Sequence, residues 1–167
     1  MLTGLTVTGM ADDKSYIPAG ESPVSPYLCI RGAAEAIDFY VEVFGATESG
    51  ERFVDPEGKV GHAELDLNGG RIYVADEYPG YGISPVDLPD TTVALYIYVP
   101  DVDAVVAKAE ARGAKVLEAP KDTFYGARRA TLRDPFGHRW MVVTHLRDVP
   151  DEEYKAARDG FAEHGVE

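Results

Sequence analysis

Cysteine, tryptophan and basic side chains are all scarce in this chain of 167 residues. It holds one cysteine (Cys29), one tryptophan (Trp140), and 16 basic against 29 acidic groups, for a formal charge of −13. A single cysteine excludes an internal disulfide framework and fits a reducing, cytoplasmic setting. The basic deficit argues against a duplex nucleic-acid binder, whose affinity depends on neutralising phosphates with Lys and Arg. It argues equally against docking on anionic lipid. No apolar run approaches the ~20 residues that a membrane span needs. The N-terminus lacks the basic start and apolar stretch of a secretory signal.

The charge deficit is uneven. Residues 1–90 carry 5 basic and 16 acidic groups, and residues 91–167 carry 11 and 13. Between Arg128 and Arg139 the balance reverses, with Arg128, Arg129, Arg133 and Arg139 against Asp134 alone. The plain interpretation of that stretch is an exposed, Arg-rich strand pair.

Along the chain, residues 1–22 are polar and aperiodic and are expected to be a flexible lead-in. A short strand over 27–30 then leads into a helix from Ala33 to Phe44, where Ile37, Tyr40, Val41 and Phe44 recur at helical spacing. Gly45 ends it. Strand-like segments follow at 47–54, 62–67 and 71–75, with turns at 55–58 and 68–70. Residues 78–90, with Pro79, Pro85 and Pro89, form a linker or lid.

The order then repeats. A strand at 93–99 precedes a helix marked by Val102, Val105, Val106 and Ala109, which Gly113 ends; strands follow at 115–118, 128–132 and 139–145. Cys29–Ile37 lies over Tyr98–Val106, Gly45-Ala46 over Gly113-Ala114, and Asn68–Val74 over Pro135–Met141. Two βαβββ modules, about 23–77 and 91–148, are the natural inference. Pro150 and the acidic run at 151–153 open a C-terminal helix within 149–167.

These paired modules and their phrases resemble the vicinal oxygen chelate superfamily of glyoxalases, bleomycin-resistance proteins and extradiol dioxygenases, especially its PhnB-like branch. The phrases are Pro26-Tyr-Leu28, Ala36–Tyr40, His62-Ala-Glu-Leu65, Ala75-Asp-Glu77, Ser84-Pro85, Tyr98–Ala104 and above all Asp134-Pro-Phe-Gly-His-Arg-Trp140. The resemblance spans about residues 23–155. It implies an α+β fold of two βαβββ modules with curved mixed sheets around a cavity, plus a C-terminal helix.

Metal-dependent relatives draw their ligands from the first and fourth strands of each module. Aligned here, those positions fall on Ser25, Val74, Ala94 and Met141. None offers the His nitrogen or carboxylate oxygen that a divalent cation prefers, so no metal and no other cofactor is expected. The register carries this expectation, since a slip of one residue turns a strand position to the opposite face.

Strand alternation assigns the rest. Ala63, Leu65 and Leu67 are expected to face the helices, sending His62, Glu64 and Asp66 to the concave face. In module two, Arg129, Thr131, Arg133, Arg139, Met141 and Val143 share that face. Tyr27, Cys29, Tyr96 and Tyr98 are expected to add a wall. The candidate ligand-binding set is thus Tyr27, His62, Glu64, Tyr96, Tyr98, Arg129, Thr131 and Met141.

Each candidate has a structural alternative. His62 and Glu64 could be an acid–base pair, or a structural hydrogen bond, or Glu64 could pair with Arg129. Trp140 is expected in the core, and His138 and His145 at the surface or an interface. Cys29 has no identifiable base and is expected to be inert.

Three functions remain open from sequence. One is a metal-independent protein binding a small organic molecule between the modules. A second is a metal-independent lyase or isomerase using Glu64 and His62 for proton transfer. A third is a dimeric regulatory or scaffolding protein with a vestigial pocket. The resemblance implies a homodimer.

Overall fold

The structure, a computed structural model, describes residues 16–18 and 21–164. Most of the expected flexible lead-in over 1–22 and the last three residues of the C-terminal tail lie outside the described residues. The first module runs β1 (Tyr27–Ile30), α1 (Ala33–Phe44), β2 (Thr47–Glu48), β3 (Phe53–Val54), β4 (Val60–Leu67) and β5 (Gly70–Asp76). The second runs β6 (Ala94–Tyr98), α2 (Val102–Ala111), β7 (Lys115–Asp122), β8 (Ala127–Arg133) and β9 (Arg139–His145). α3 (Asp151–His164) follows. None of the described helices is long and apolar enough to cross a membrane.

Local chemistry accounts for the element ends. Gly45, at φ 72°, closes α1 by donating its N–H back to Tyr40 and Val41. The side chain of Asp101 accepts from the Ala104 N–H and starts α2. The β4–β5 hairpin turns on Asn68 and Gly69, at φ 56° and 89°, the pair of left-handed residues a tight turn requires. The strand expected over 47–54 is instead two short ones. Gly50 adopts φ 87° between them, and Arg52 reaches back to Glu48 at 2.6 Å.

Each module forms a mixed sheet, ordered β1-β5-β4-β2 with β3 also on β4, and β6-β9-β8-β7. β1 is parallel to β5 and β6 is parallel to β9; the other pairs are antiparallel. The helix-facing sides of both sheets share one hydrophobic core. Trp140 of β9 sits 4.5 Å and 5.2 Å, ring to ring, from Phe44 and Tyr40 of α1, so helix one packs on the second module's sheet. Ala63, Leu65 and Leu67 are buried, as alternation requires, while His62, Glu64 and Asp66 take the other face.

Pairing corrects one register. Tyr27 lies opposite Tyr73 in β1–β5, and Tyr96 lies opposite Met141 in β6–β9. Tyr27 and Tyr96 are repeat equivalents, so the counterpart of Met141 is Tyr73, not Val74. Val74 is fully buried in the core on the helix side.

Candidate functional site

A cavity of about 1160 Å³ in the described residues is lined by both modules and by the segment that joins them. Its floor is the open face of the first sheet at Tyr27, Cys29 and Ala75. Its roof is the inter-module segment 78–93, a strap that contributes Tyr78, Ile83, Leu88 and Val93. Leu95 and His138 of module two complete the wall. Of the eight candidate ligand-binding residues, Tyr27 alone borders it. Tyr96, Tyr98, Arg129, Thr131 and Met141 lie on the open face of the second sheet, and His62 and Glu64 lie behind Tyr27.

Ionic contacts from both modules hold the strap. Arg31 donates to Asp87 at 2.5 Å and to Glu77 at 2.9 and 3.0 Å, while Glu77 also accepts from the Ser84 N–H. These contacts hold the Glu77 carboxyl below its usual range, the Ser84 N–H most of all. Arg133 donates to the carbonyls of Pro85, Leu88 and Pro89 at 3.1, 2.5 and 2.8 Å. Arg139 grips both oxygens of Asp90 at 2.8 Å. A short 3-10 turn, Pro85–Asp87, lies against Gly137, so the expected linker does contain an element.

The Arg-rich stretch is therefore consumed by structure rather than aimed into a cavity. Arg128 binds Asp103 and Asp122, and Arg129 binds Glu118 at 2.9 Å instead of Glu64. Thr131 donates to the same Glu118 at 2.8 Å. Among the described residues two carboxylates border the cavity, and both are engaged. Asp76 accepts from the N–H groups of Gly32, Ala33 and Val60, and Asp90 holds Arg139.

Beside the floor, an aromatic and ionic cluster crosses β1, β4 and β5. The Tyr27 hydroxyl lies 2.9 Å from Nδ1 of His62, whose Nε2 is 3.5 Å from Oε1 of Glu64. Glu64 is paired through its other oxygen with Arg71, which also reaches Glu21 at 3.0 Å. Tyr73 donates to Glu21 at 2.9 Å and lies beside both other rings. Burial, then the nearby Cys29, pushes the Tyr27 phenol above its ordinary value. Arg71, Glu21 and Tyr73 were missed from sequence. Arg71 and Tyr73 follow once the hairpin is registered on Asn68-Gly69, which puts Tyr73 opposite Glu64 and Arg71 opposite Asp66. Glu21 comes from the segment expected to be loose, and no local pattern marks it.

His138, expected at the surface or an interface, is partly buried in the cavity wall, and its Nε2 has no partner among the described residues. Burial lowers its pKa, with Asp134 opposing. Cys29 is partly buried in the floor, its thiol pushed up by burial and then by Glu77 and Asp76. On the second sheet, burial and then the Tyr98 hydroxyl push Tyr96 up to about 12.

With the register corrected, the positions that would carry metal ligands are Ser25, Tyr73, Ala94 and Met141. They present a hydroxyl, a phenol already donating to Glu21, a methyl and a thioether. This donor set does not fit a divalent cation, which takes three or four His or carboxylate ligands. No cluster of three or more His, Cys, Asp or Glu among the described residues has metal-binding geometry.

Comparison with known proteins agrees with the fold. An uncharacterized protein of Mycobacterium bovis is 40% identical over 141 residues, covering 82% of this chain and 92% of its own. An uncharacterized protein of Arabidopsis thaliana is 31% identical over 157 residues, covering 90% and 95%. The X-ray structure of that Arabidopsis gene product superposes with a TM-score of 0.59 at 28% identity, over 73% of this chain and 98% of that one. A PhnB protein from Bacillus cereus shares the fold, with a TM-score of 0.55 at 21% identity over 74% of this chain and 99% of its own. The sequence profile of the glyoxalase/bleomycin resistance protein/dioxygenase superfamily matches residues 24–142, and the chain belongs to that superfamily.

Proposed function

We propose that the protein binds a small, largely apolar and uncharged organic molecule in the strap-roofed cavity, without the divalent metal its fold family implies. The observation that carries this reading is the cavity itself. About 1160 Å³ is a volume suited to a small molecule, and its walls are mainly aliphatic and aromatic. Among the described residues no arginine or lysine borders it, and the two carboxylates that do, Asp76 and Asp90, are satisfied. An anionic ligand would find no counter-charge there. The donor chemistry of Ser25, Tyr73, Ala94 and Met141 supports the metal-free part.

Cys29, the only thiol and a floor residue, provides the test. Neutral aromatic probes such as 2-naphthol should slow its alkylation by iodoacetamide and raise the melting temperature. Anionic analogues such as 2-naphthoate should do neither. Equal protection by both, or by neither, refutes this reading. Stoichiometric Zn, Ni, Mn or Fe in purified protein, removed by EDTA with loss of binding, refutes the metal-free part.

Pairing with a second copy belongs to the same proposal. β1 and β6 are edge strands of their sheets, and Tyr27, Tyr96 and Tyr98 stand about half exposed on the open faces. Sedimentation equilibrium should give twice the chain mass; a monomer at micromolar concentration removes this part.

A further inference from the structure

We infer that Tyr27 is a catalytic acid–base residue at the cavity wall, coupled through His62 to Glu64, and that the ligand is a neutral carbonyl compound able to enolise. The inference rests on the cavity reading above and adds a reaction to it.

Three observations carry it. First, Tyr27 borders the cavity while its hydroxyl lies 2.9 Å from His62 Nδ1. With the phenol donating, Nδ1 is the acceptor, so a neutral His62 carries its proton on Nε2, on the side of Glu64. Second, the Glu64 carboxylate stands 3.5 Å from Nε2, a distance that can tighten when the imidazole becomes charged. Arg71 holds the other carboxylate oxygen and is itself held by Glu21. Glu64 is thereby fixed where it would stabilise an imidazolium, as the orienting group does in other nucleophile–base–carboxylate arrangements. Third, proton transfer is the chemistry such a chain can perform unaided. Among the described residues no arginine or lysine on the cavity wall could take up a phosphate or carboxylate leaving group, which points to tautomerisation of a neutral ligand.

The step balances without a co-reactant. The carbon–hydrogen bond α to the carbonyl breaks, and its proton passes to the Tyr27 oxygen. The phenol's own proton moves to His62 Nδ1, while the electron pair of the broken bond becomes the enolate. Reversal returns a proton to carbon. His62 is about 41% exposed at its side chain, so the imidazolium can exchange with solvent before reversal. Deuterium from the solvent then appears at the α carbon. Tyr27 touches the substrate; His62 and Glu64 act through it as positioning residues. The raised Tyr27 pKa keeps the group a phenol at neutral pH, the form that this chain requires.

The test uses the full-length protein and 2-tetralone, a neutral aromatic ketone with exchangeable α hydrogens, in D2O. Binding is read by saturation-transfer NMR and exchange by loss of the α-proton signal. Wild-type protein should accelerate exchange about a hundredfold over buffer, the low end of general acid–base catalysis. Tyr27→Phe should remove that acceleration while 2-tetralone still binds. His62→Gln, which keeps a side chain able to accept from Tyr27 but takes up no proton, should also lose exchange with binding retained. Glu64→Gln should show partial loss of exchange, again at retained binding. Binding without accelerated exchange in the wild type overturns the relay and leaves the binding proposal standing. Exchange that survives Tyr27→Phe also overturns it. Absence of 2-tetralone binding, by contrast, counts against the cavity reading and removes the relay with it.

Discussion

The Tyr40 hydroxyl in α1 donates a 2.8 Å hydrogen bond to Oδ2 of Asp134, which lies 94 positions away in the β8–β9 turn. The same oxygen accepts from Trp140 Nε1 at 2.9 Å, and Oδ1 accepts from the N–H groups of Phe136 and His138 at 3.0 and 2.9 Å. One buried carboxylate thus ties the first module's helix to the second module's turn, with four donors for its two oxygens.

Replacing Asp134 by Asn should be costly although the shape is kept. One oxygen becomes an amide donor facing other donors, leaving the Tyr40 O–H and Trp140 N–H unsatisfied in a buried site. At about 1–3 kcal/mol for each of these two groups, the loss should reach roughly 2–6 kcal/mol. Urea unfolding of both proteins measures it. A loss below about 0.5 kcal/mol would show that the network contributes little.

Asp134 also illustrates how much sequence disclosed. The Asp-Pro-Phe-Gly turn and the buried Trp140 were legible from composition and alternation, as was the face shared by His62 and Glu64. The link to Tyr40 was not, because a strand pattern names a face and not the partner lying across the core. The arginines failed for the same reason. Alternation put Arg129, Arg133 and Arg139 on the open side, yet Glu118, the strap carbonyls and Asp90 had already claimed them. Val74 shows a different limit. Two repeats aligned by residue likeness drift by one position across unequal turns, and one position is enough to exchange the core for the open face of the sheet.

Gly137 should be intolerant of any side chain. Its φ of 95° disfavours other residues, and an added Cβ would come within 2.6 Å of the Pro85 backbone in the strap. Gly137→Ala should cost about 1–3 kcal/mol from backbone strain alone, and should also push the strap off its seat. The two effects are separable. Thermal unfolding reads the first, and a faster alkylation of Cys29 reads the second. An unchanged Cys29 rate would mean that the strap stays seated without this contact.

Arg133→Ala should loosen the strap with little harm to the core, because its guanidinium hydrogen-bonds to three strap carbonyls. Hydrogen–deuterium exchange should rise across 84–93 while β4, β5 and β9 remain protected. Increased exchange spread over both sheets would instead make Arg133 a residue of global stability.

His138 supplies a pH dependence with a definite sign. Burial depresses its folded pKa below the ordinary 6.5, against the opposing pull of Asp134. The unfolded chain therefore binds a proton at a higher pH than the folded one. The contribution to stability is fully present above about pH 6.5 and is lost as pH falls through the lowered value. His138→Asn should remove that part of the slope, so the gap in melting temperature between pH 7.5 and pH 5 narrows in the variant. An identical gap in both proteins would show that other groups set the acid sensitivity.

Cys29 should alkylate slowly at neutral pH for reasons that burial and charge supply together. Its thiol is raised above the ordinary value first by desolvation, then by the Glu77 and Asp76 carboxylates, and the thiolate is the reactive form. Less thiolate at pH 7.5 means slower reaction with iodoacetamide than free cysteine shows, and the rate should keep climbing above the pH where free cysteine levels off. Glu77→Gln removes the larger of the two charge effects, though it also frees Arg31 and the Ser84 N–H. Arg31→Ala separates the two consequences, since it loosens the same strap contact but leaves the Glu77 charge in place. A lowered titration midpoint in Glu77→Gln but not in Arg31→Ala assigns the shift to charge. A rise in rate in both variants, with the midpoint unmoved, assigns the slow reaction to the strap's cover over the thiol.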